Sequence, residues 1–221
     1  MDMDRGVKRR YDSSRRREQA AQTKREILRA AHDLFVERGF GATTMNDIAA
    51  GAGVSVETVY AAYGSKLKLL KRVWDVTIGG DDEEIPFNER PEVLAMRAEK
   101  NLYRRLEMYA ELIANHVGPR TSAFVEAMRG AAAVHPEAGA MVEEMDRQRL
   151  KGMTVAAREL AQGDGLAVSE EEARDVLWAT NPGDLWRLLV QERGWSTDRF
   201  AVWLGDLWKR MLLRPETDEI V

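Results

Sequence analysis

Cysteine is absent from these 221 residues, which excludes disulfides, thiolate catalysis, iron–sulfur clusters and cysteine-held zinc together. Histidine is scarce: His32, His116 and His135 are too scattered to form a metal-binding motif, and neither a metal nor a cofactor is expected. No apolar run approaches the ~18 residues that a membrane-spanning helix requires. The N-terminus is basic rather than signal-like, so the chain is expected to be cytoplasmic and to engage no membrane. Sustained period-2 alternation is missing, which argues against strands, and no repeat of 20–50 residues occurs. What remains is an ordinary globular composition, 44% hydrophobic and 32% charged, enough for one large domain or two small ones.

The net charge of −4 conceals an asymmetry. Residues 1–72 carry 15 Lys and Arg against 9 Asp and Glu, a balance of +6, and the remainder carries −10. A basic first third on an acidic body suggests that only the first third approaches a polyanion. Within it, residues 1–22 hold Lys8-Arg9-Arg10 and Arg15-Arg16-Arg17 with almost no large apolar side chain, and read as a disordered basic arm.

From Thr23 the pattern becomes helical. Ile27, Ala31, Leu34 and Phe35 form an amphipathic stripe, and Gly39 is placed to stop it. A short helix follows, with Met45, Ile48, Ala49 and Ala52 on one side and Thr43 or Thr44 as its cap. Gly53 breaks the pattern and Ser55 starts a third helix with Val59 and Tyr63 inward. Gly64-Ser65 ends it and caps a fourth, with Leu69, Leu70, Val73 and Trp74 apolar. Gly79 to Glu84, with Pro86 and Pro91 beyond, is the clearest break, an acidic linker over 79–91. Beyond it a helical domain is expected over 92–214, then a tail over 215–221. Its expected helices run from Val93 to about His116, broken at Gly118-Pro119, then Arg120–Val134 and Pro136 to about Gln162. Three more follow, divided by Asn181-Pro182 and Gly194. The expected fold class is all-α.

Met45 to about Tyr63 has the build of a helix-turn-helix. A small residue, Ala49, sits where two helices must cross closely. Gly53, four residues on, supplies the turn, and Val59 packs the second helix back. In the run from Thr23 to Ser55, Leu34-Phe35, Gly39-Phe40, Thr43-Thr44, Asp47-Ile48-Ala49 and Ala52-Gly53-Val54-Ser55 follow in order, and Ser65-Lys66 comes later. Residues 23–78 thereby resemble the N-terminal domain of TetR-family transcriptional regulators. The resemblance implies a three-helix DNA-binding domain and a connecting helix, joined to a larger ligand-binding and dimerisation domain. It also implies a repressor that binds a palindromic operator in double-stranded DNA as a homodimer and is released by a small-molecule effector.

Carried over position by position, the resemblance puts Thr43 and Thr44 where a helix start holds phosphate. It puts Ser55, Val56, Glu57, Thr58 and Ala61 on the first turns of the recognition helix, and Tyr60 and Lys66 at phosphate-contacting positions. The chain departs from the family where polar residues are usual, with Ala61 and Ala62, and places an acidic Glu57 near the DNA face. A glutamate accepts from cytosine N4 but repels phosphate. Arg15, Arg16 and Arg17, just upstream of the first helix, are placed to supply the missing basic contacts, as an arm following the minor groove.

In the C-terminal region Met96, Tyr103, Tyr109, Phe124, Met128 and Trp178 are the candidate ligand-lining residues, since Met and aromatic side chains suit an adaptable apolar site. Their plain alternative is core. The late helices carry Leu185, Leu188, Leu189, Phe200, Trp203, Leu204, Leu207, Trp208 and Met211. That is more apolar surface than one small helical domain buries, and it points to a dimer through helices near 136–162 and 170–193 or 197–212. A sequence-indifferent architectural protein is the competing reading of the basic arm. An enzyme is the remaining one, but no nucleophile elbow, Walker loop or His-Glu-x-x-His is present, and no catalytic residue is expected.

Overall fold

The computed structural model describes residues 4–81, 83, 85–163, 165–181 and 183–215. Among them the secondary structure is helical, with an isolated bridge between Leu166 and Leu213 and no strand. Two compact units divide the chain, Met1–Val76 and Thr77–Val221.

The first unit holds α1 (Asp4–Ala42), α2 (Met45–Gly51), α3 (Val56–Tyr63) and most of α4 (Lys66–Gly79). Its core is the set that the apolar spacing predicts: Ile27, Ala31, Phe35, Ile48, Val59, Leu69 and Leu70 are fully buried. Helix α1 is interrupted at Gly39, whose φ of 81° is open to glycine but strained for other residues. The expected disordered arm is corrected here, since helix extends upstream to Asp4. A helix already nucleated by the core lengthens without a new nucleation cost. Polar pairs one turn apart support it, Ser14 to Glu18 at 3.2 Å and Gln22 to Glu26 at 2.9 Å.

The second unit is built from α5 (Pro91–Ala98), α6 (Leu102–Leu112), α7 (Gly118–Ala132), α8 (Pro136–Ala161), α9 (Glu170–Thr180), α10 (Gly183–Trp186) and α11 (Thr197–Leu212). The division lies inside α4 rather than at the Gly/Pro segment. That segment belongs to the second unit, where the nearly buried Arg90 grips Asp81 with bonds of 2.5 and 2.7 Å. One long helix to His116 was expected. Instead α5 stops at Ala98 and Asn101 starts α6 by accepting from the Arg104 amide at 3.0 Å.

No break occurs at Gly118-Pro119. A π-helical turn, Ile113–Val117, joins α6 to α7 directly, and Pro119, which lacks an amide N–H, falls in the first turn of α7. Gly118 matters for another reason. Trp186 lies against it, donating its indole N–H to the Ala114 carbonyl at 2.9 Å, and a Cβ on Gly118 would stand 2.5 Å from the ring. Gly118→Ala is therefore expected to destabilise the protein by ~1–3 kcal/mol through overpacking. Gly152 is exposed on α8 and faces open space, so Gly152→Ala should gain up to ~1 kcal/mol from helix propensity. Thermal unfolding midpoints that move the same way in both variants would contradict this account.

The core of the second unit centres on Leu106, Ala110, Ala157, Leu177, Phe200, Leu204 and Trp208. Trp208 is fully buried and donates to Thr180 Oγ1 at 2.7 Å. Of the late apolar residues, Phe200, Leu204 and Trp208 go inside the subunit. Leu188, Val202 and Met211 stay exposed, Val202 at 66%.

Candidate nucleic-acid interface

Helix α3 begins where Ser55 Oγ accepts from the Thr58 amide at 3.3 Å and meets the Thr58 hydroxyl at 3.1 Å. It ends at Gly64, which adopts a φ of 74°. Val59 is fully buried, and at 100° per residue Glu57, Thr58, Tyr60 and Ala61 fall on the opposite side. All four are exposed, whereas Val56 is half-buried. Tyr60, at 51% exposure, presents its ring to solvent. Tyr63 does not share that face: its hydroxyl donates to the Lys24 carbonyl at 3.1 Å and ties α3 to α1. Bonds to its own backbone and to Ser55 hold the Glu57 carboxyl below the usual carboxylate range, so it remains an acceptor.

The two threonines part company. Thr44 is the cap of α2: its hydroxyl donates to Asp47 Oδ2 at 2.5 Å and accepts from the Asp47 amide at 3.1 Å, and the same carboxylate takes the Thr44 amide. These Thr44 bonds, foremost the side-chain one, hold the Asp47 carboxyl low. Thr44 is exposed at the start of α2, as the phosphate role requires. The phosphate role expected for Thr43 is corrected. Thr43 is fully buried, with its hydroxyl against the carbonyls of Leu34 and Gly39 at 3.1 and 2.9 Å. It satisfies the last carbonyls of α1, which a helix end otherwise leaves bare. Lys66 opens α4 with its ammonium 4.0 Å from the Phe40 ring centroid. Arg15, Arg16 and Arg17 lie exposed on the upstream extension of α1.

In the second unit the six expected ligand residues separate. Met96, Phe124 and Met128 are buried, and Tyr103 donates to the Arg214 carbonyl at 2.5 Å, which ties α6 to the segment just after α11. Tyr109 is buried, its hydroxyl donating to Met153 Sδ at 3.2 Å and accepting from Asn181 at 2.8 Å; burial pushes its pKa up. The Trp178 ring centroid lies 4.8 Å from the Arg149 guanidinium, and its buried indole N–H has no partner among the described residues. None of the six lines the cavity of about 280 Å³ found in this unit. That cavity is bounded by Ser122, Glu126, Arg129 and Gly130 of α7 with Asp184 and Arg187. Val125 also lines it, and the search for Met and aromatic side chains missed it because it holds neither; the signal available was the i, i+4, i+8 spacing of Ser122, Glu126 and Gly130. Among the described residues no cluster of three or more His, Asp or Glu could hold a metal, and no helix is long and apolar enough to cross a membrane.

Residues 27–73 match the family described as bacterial regulatory proteins, tetR family. No curated protein matches the chain. Among solved structures, the fold is shared with NalD of Pseudomonas aeruginosa, the secondary repressor of the MexAB-OprM multidrug efflux pump. The TM-score is 0.67 at 19% identity, over 90% of this chain and 99% of NalD. A Rhodococcus sp. structure assigned to the TetR family gives 0.65 at 15%, over 87% and 99%. A Saccharomonospora viridis structure in complex with choline, assigned as a transcriptional regulator, gives 0.64 at 17%, over 88% and 99%. At these identities the likeness is one of fold.

Proposed function

Because residues 27–73 match the family of bacterial regulatory proteins described as tetR, we propose that this chain is a sequence-specific transcriptional repressor, released from a palindromic operator by a small molecule. The observation that carries the reading is the solvent face of α3, where Glu57, Thr58, Tyr60 and Ala61 stand together opposite the buried Val59. A helix presented in this way by a helix-turn-helix enters the major groove and reaches base edges with its first turns. Ser55 and Val56 begin those turns. Thr44, Tyr60 and Lys66 position the domain on phosphates, which fix register without reading sequence.

One such domain covers a half-site, so a homodimer reads the two halves of an inverted repeat. The exposed Leu188 and Val202 offer apolar surface for pairing that the subunit's own core does not use. NalD is a repressor, and the S. viridis protein holds choline; on this reading an effector likewise enters the second unit of this chain. It changes operator affinity by as much as its affinities for the operator-bound and free conformations differ. A chain acting on bacterial promoters works in the cytoplasm and carries out no chemistry of its own.

The upstream extension of α1 adds basic charge, with Arg15, Arg16 and Arg17 spread around the helix within one turn. Operator affinity should then fall steeply with salt, with a logarithmic slope of about −0.9 per neutralised phosphate. Deleting residues 1–18 is expected to flatten that slope by roughly 2–3 units, as the contacts of Arg15, Arg16 and Arg17 are lost. An unchanged slope would remove the extension from the interface. The same titration separates a regulator from an architectural protein. The regulator prefers its operator to unrelated DNA by about 1,000-fold or more, whereas the architectural protein treats both alike.

A further inference from the structure

The cavity in the second unit has an electrostatic signature that narrows its ligand. Arg129, on its wall, pairs with Asp184, and Arg187 pairs with Glu192, so both cations facing the space are already neutralised. Glu126 is left over. It is exposed, lines the same space and makes no hydrogen bond or ion pair among the described residues. One turn before it on α7 stands Ser122, buried, whose Oγ is reached by the Gln191 side-chain amide at a long 3.4 Å. One turn after it, Gly130 leaves open space where a Cβ would be. The three form one stripe: a hydroxyl, an unpaired carboxylate and a gap. No aromatic ring lines the cavity.

Resting on the repressor reading above, we propose that this cavity is the effector site and that its effector is a small organic cation bearing a primary ammonium. The ammonium pairs with the Glu126 carboxylate and its stem lies over Gly130. The surplus of one carboxylate calls for a cation, since an anion would meet Glu126 with both arginines already engaged. Three N–H donors of an ammonium suit a carboxylate and a serine oxygen. A quaternary ammonium has no such donor and relies on aromatic faces, which this lining lacks. A volume of about 280 Å³ lies just under the usual range for ligand pockets and suits a small organic molecule.

The test uses the full chain without DNA and three probes of similar size: butylammonium, choline and butyrate, compared by ligand-observed NMR at constant ionic strength. Butylammonium should bind at least tenfold more tightly than either of the others. Glu126→Gln should weaken it at least tenfold, and Gly130→Leu, whose Cβ meets no atom within 4 Å, should abolish it while leaving thermal stability equal or slightly higher, as helix propensity requires. Equal or tighter binding of butyrate or choline, no binding by any probe, or undiminished butylammonium binding in Glu126→Gln would overturn the proposal. Both variants should keep wild-type affinity for the operator. Failed amine binding beside intact operator recognition sinks this proposal alone, whereas a wild-type chain that recognises no operator sinks the reading beneath it.

Discussion

A chain carrying Val202→Glu together with Leu188→Glu is expected to sediment as a folded monomer and to lose at least about 100-fold in affinity for a full operator, because half the specific contacts go with the partner. Val202 is 66% exposed and Leu188 40% exposed in the single subunit, so a carboxylate at either place meets water and leaves the fold intact. In a dimer that buries them, the same two charges on each subunit are desolvated without a counter-ion, at a cost that exceeds what an apolar helix pairing supplies. Unchanged far-ultraviolet dichroism and unfolding temperature would show that the loss is one of assembly. A double variant that remains dimeric would move the interface away from α11 and the turn after α10.

The second large effect lies on α3. Glu57 is held as a carboxylate at the start of the helix, where it accepts hydrogen bonds but donates none. On the operator-reading proposal, the base expected opposite it is a cytosine, through N4. Glu57→Gln keeps the shape but adds a donor, and glutamine pairs bidentately with adenine at N6 and N7. One operator position should switch preference from cytosine toward adenine, by ~1–3 kcal/mol, about 5- to 150-fold in relative affinity. Thr58→Ala should relax selectivity at a neighbouring position by less. Competition between operators that differ at single positions measures both. Variants that bind every operator uniformly more weakly, with an unchanged order of preference, would place Glu57 and Thr58 on the backbone.

Much of this domain was legible in the sequence because its constraints are local. Ala49, Gly53, Val59 and Gly64 each sit where a crossing, a turn, a packing contact or a helix end needs that residue type, and the structure places them so. Thr43 was misread for the opposite reason. Its hydroxyl is spent on carbonyls four and nine residues upstream, and only the folded chain reveals that. The upstream extension of α1 lacks the apolar stripe that announces a helix, and it is carried by continuity with a segment that has one. In the second unit the helix punctuation at Pro136 and Gly194 could be read directly, since N-terminal prolines and helix-breaking glycines are sequence signals. The cavity could not. Whether Arg129 is paired depends on Asp184, 55 residues away and brought up by tertiary folding, and no periodicity encodes it.

The central claim is that α3, carried twice by a dimer, reads sequence. Selecting bound fragments from a pool of random duplexes with the full chain tests it most directly. The account predicts recovery of one inverted repeat, its half-site centres about one helical turn or a multiple of it apart, with defined bases in each half. Recovery of no enriched sequence, or of a single unrepeated site bound by a monomer, would contradict it.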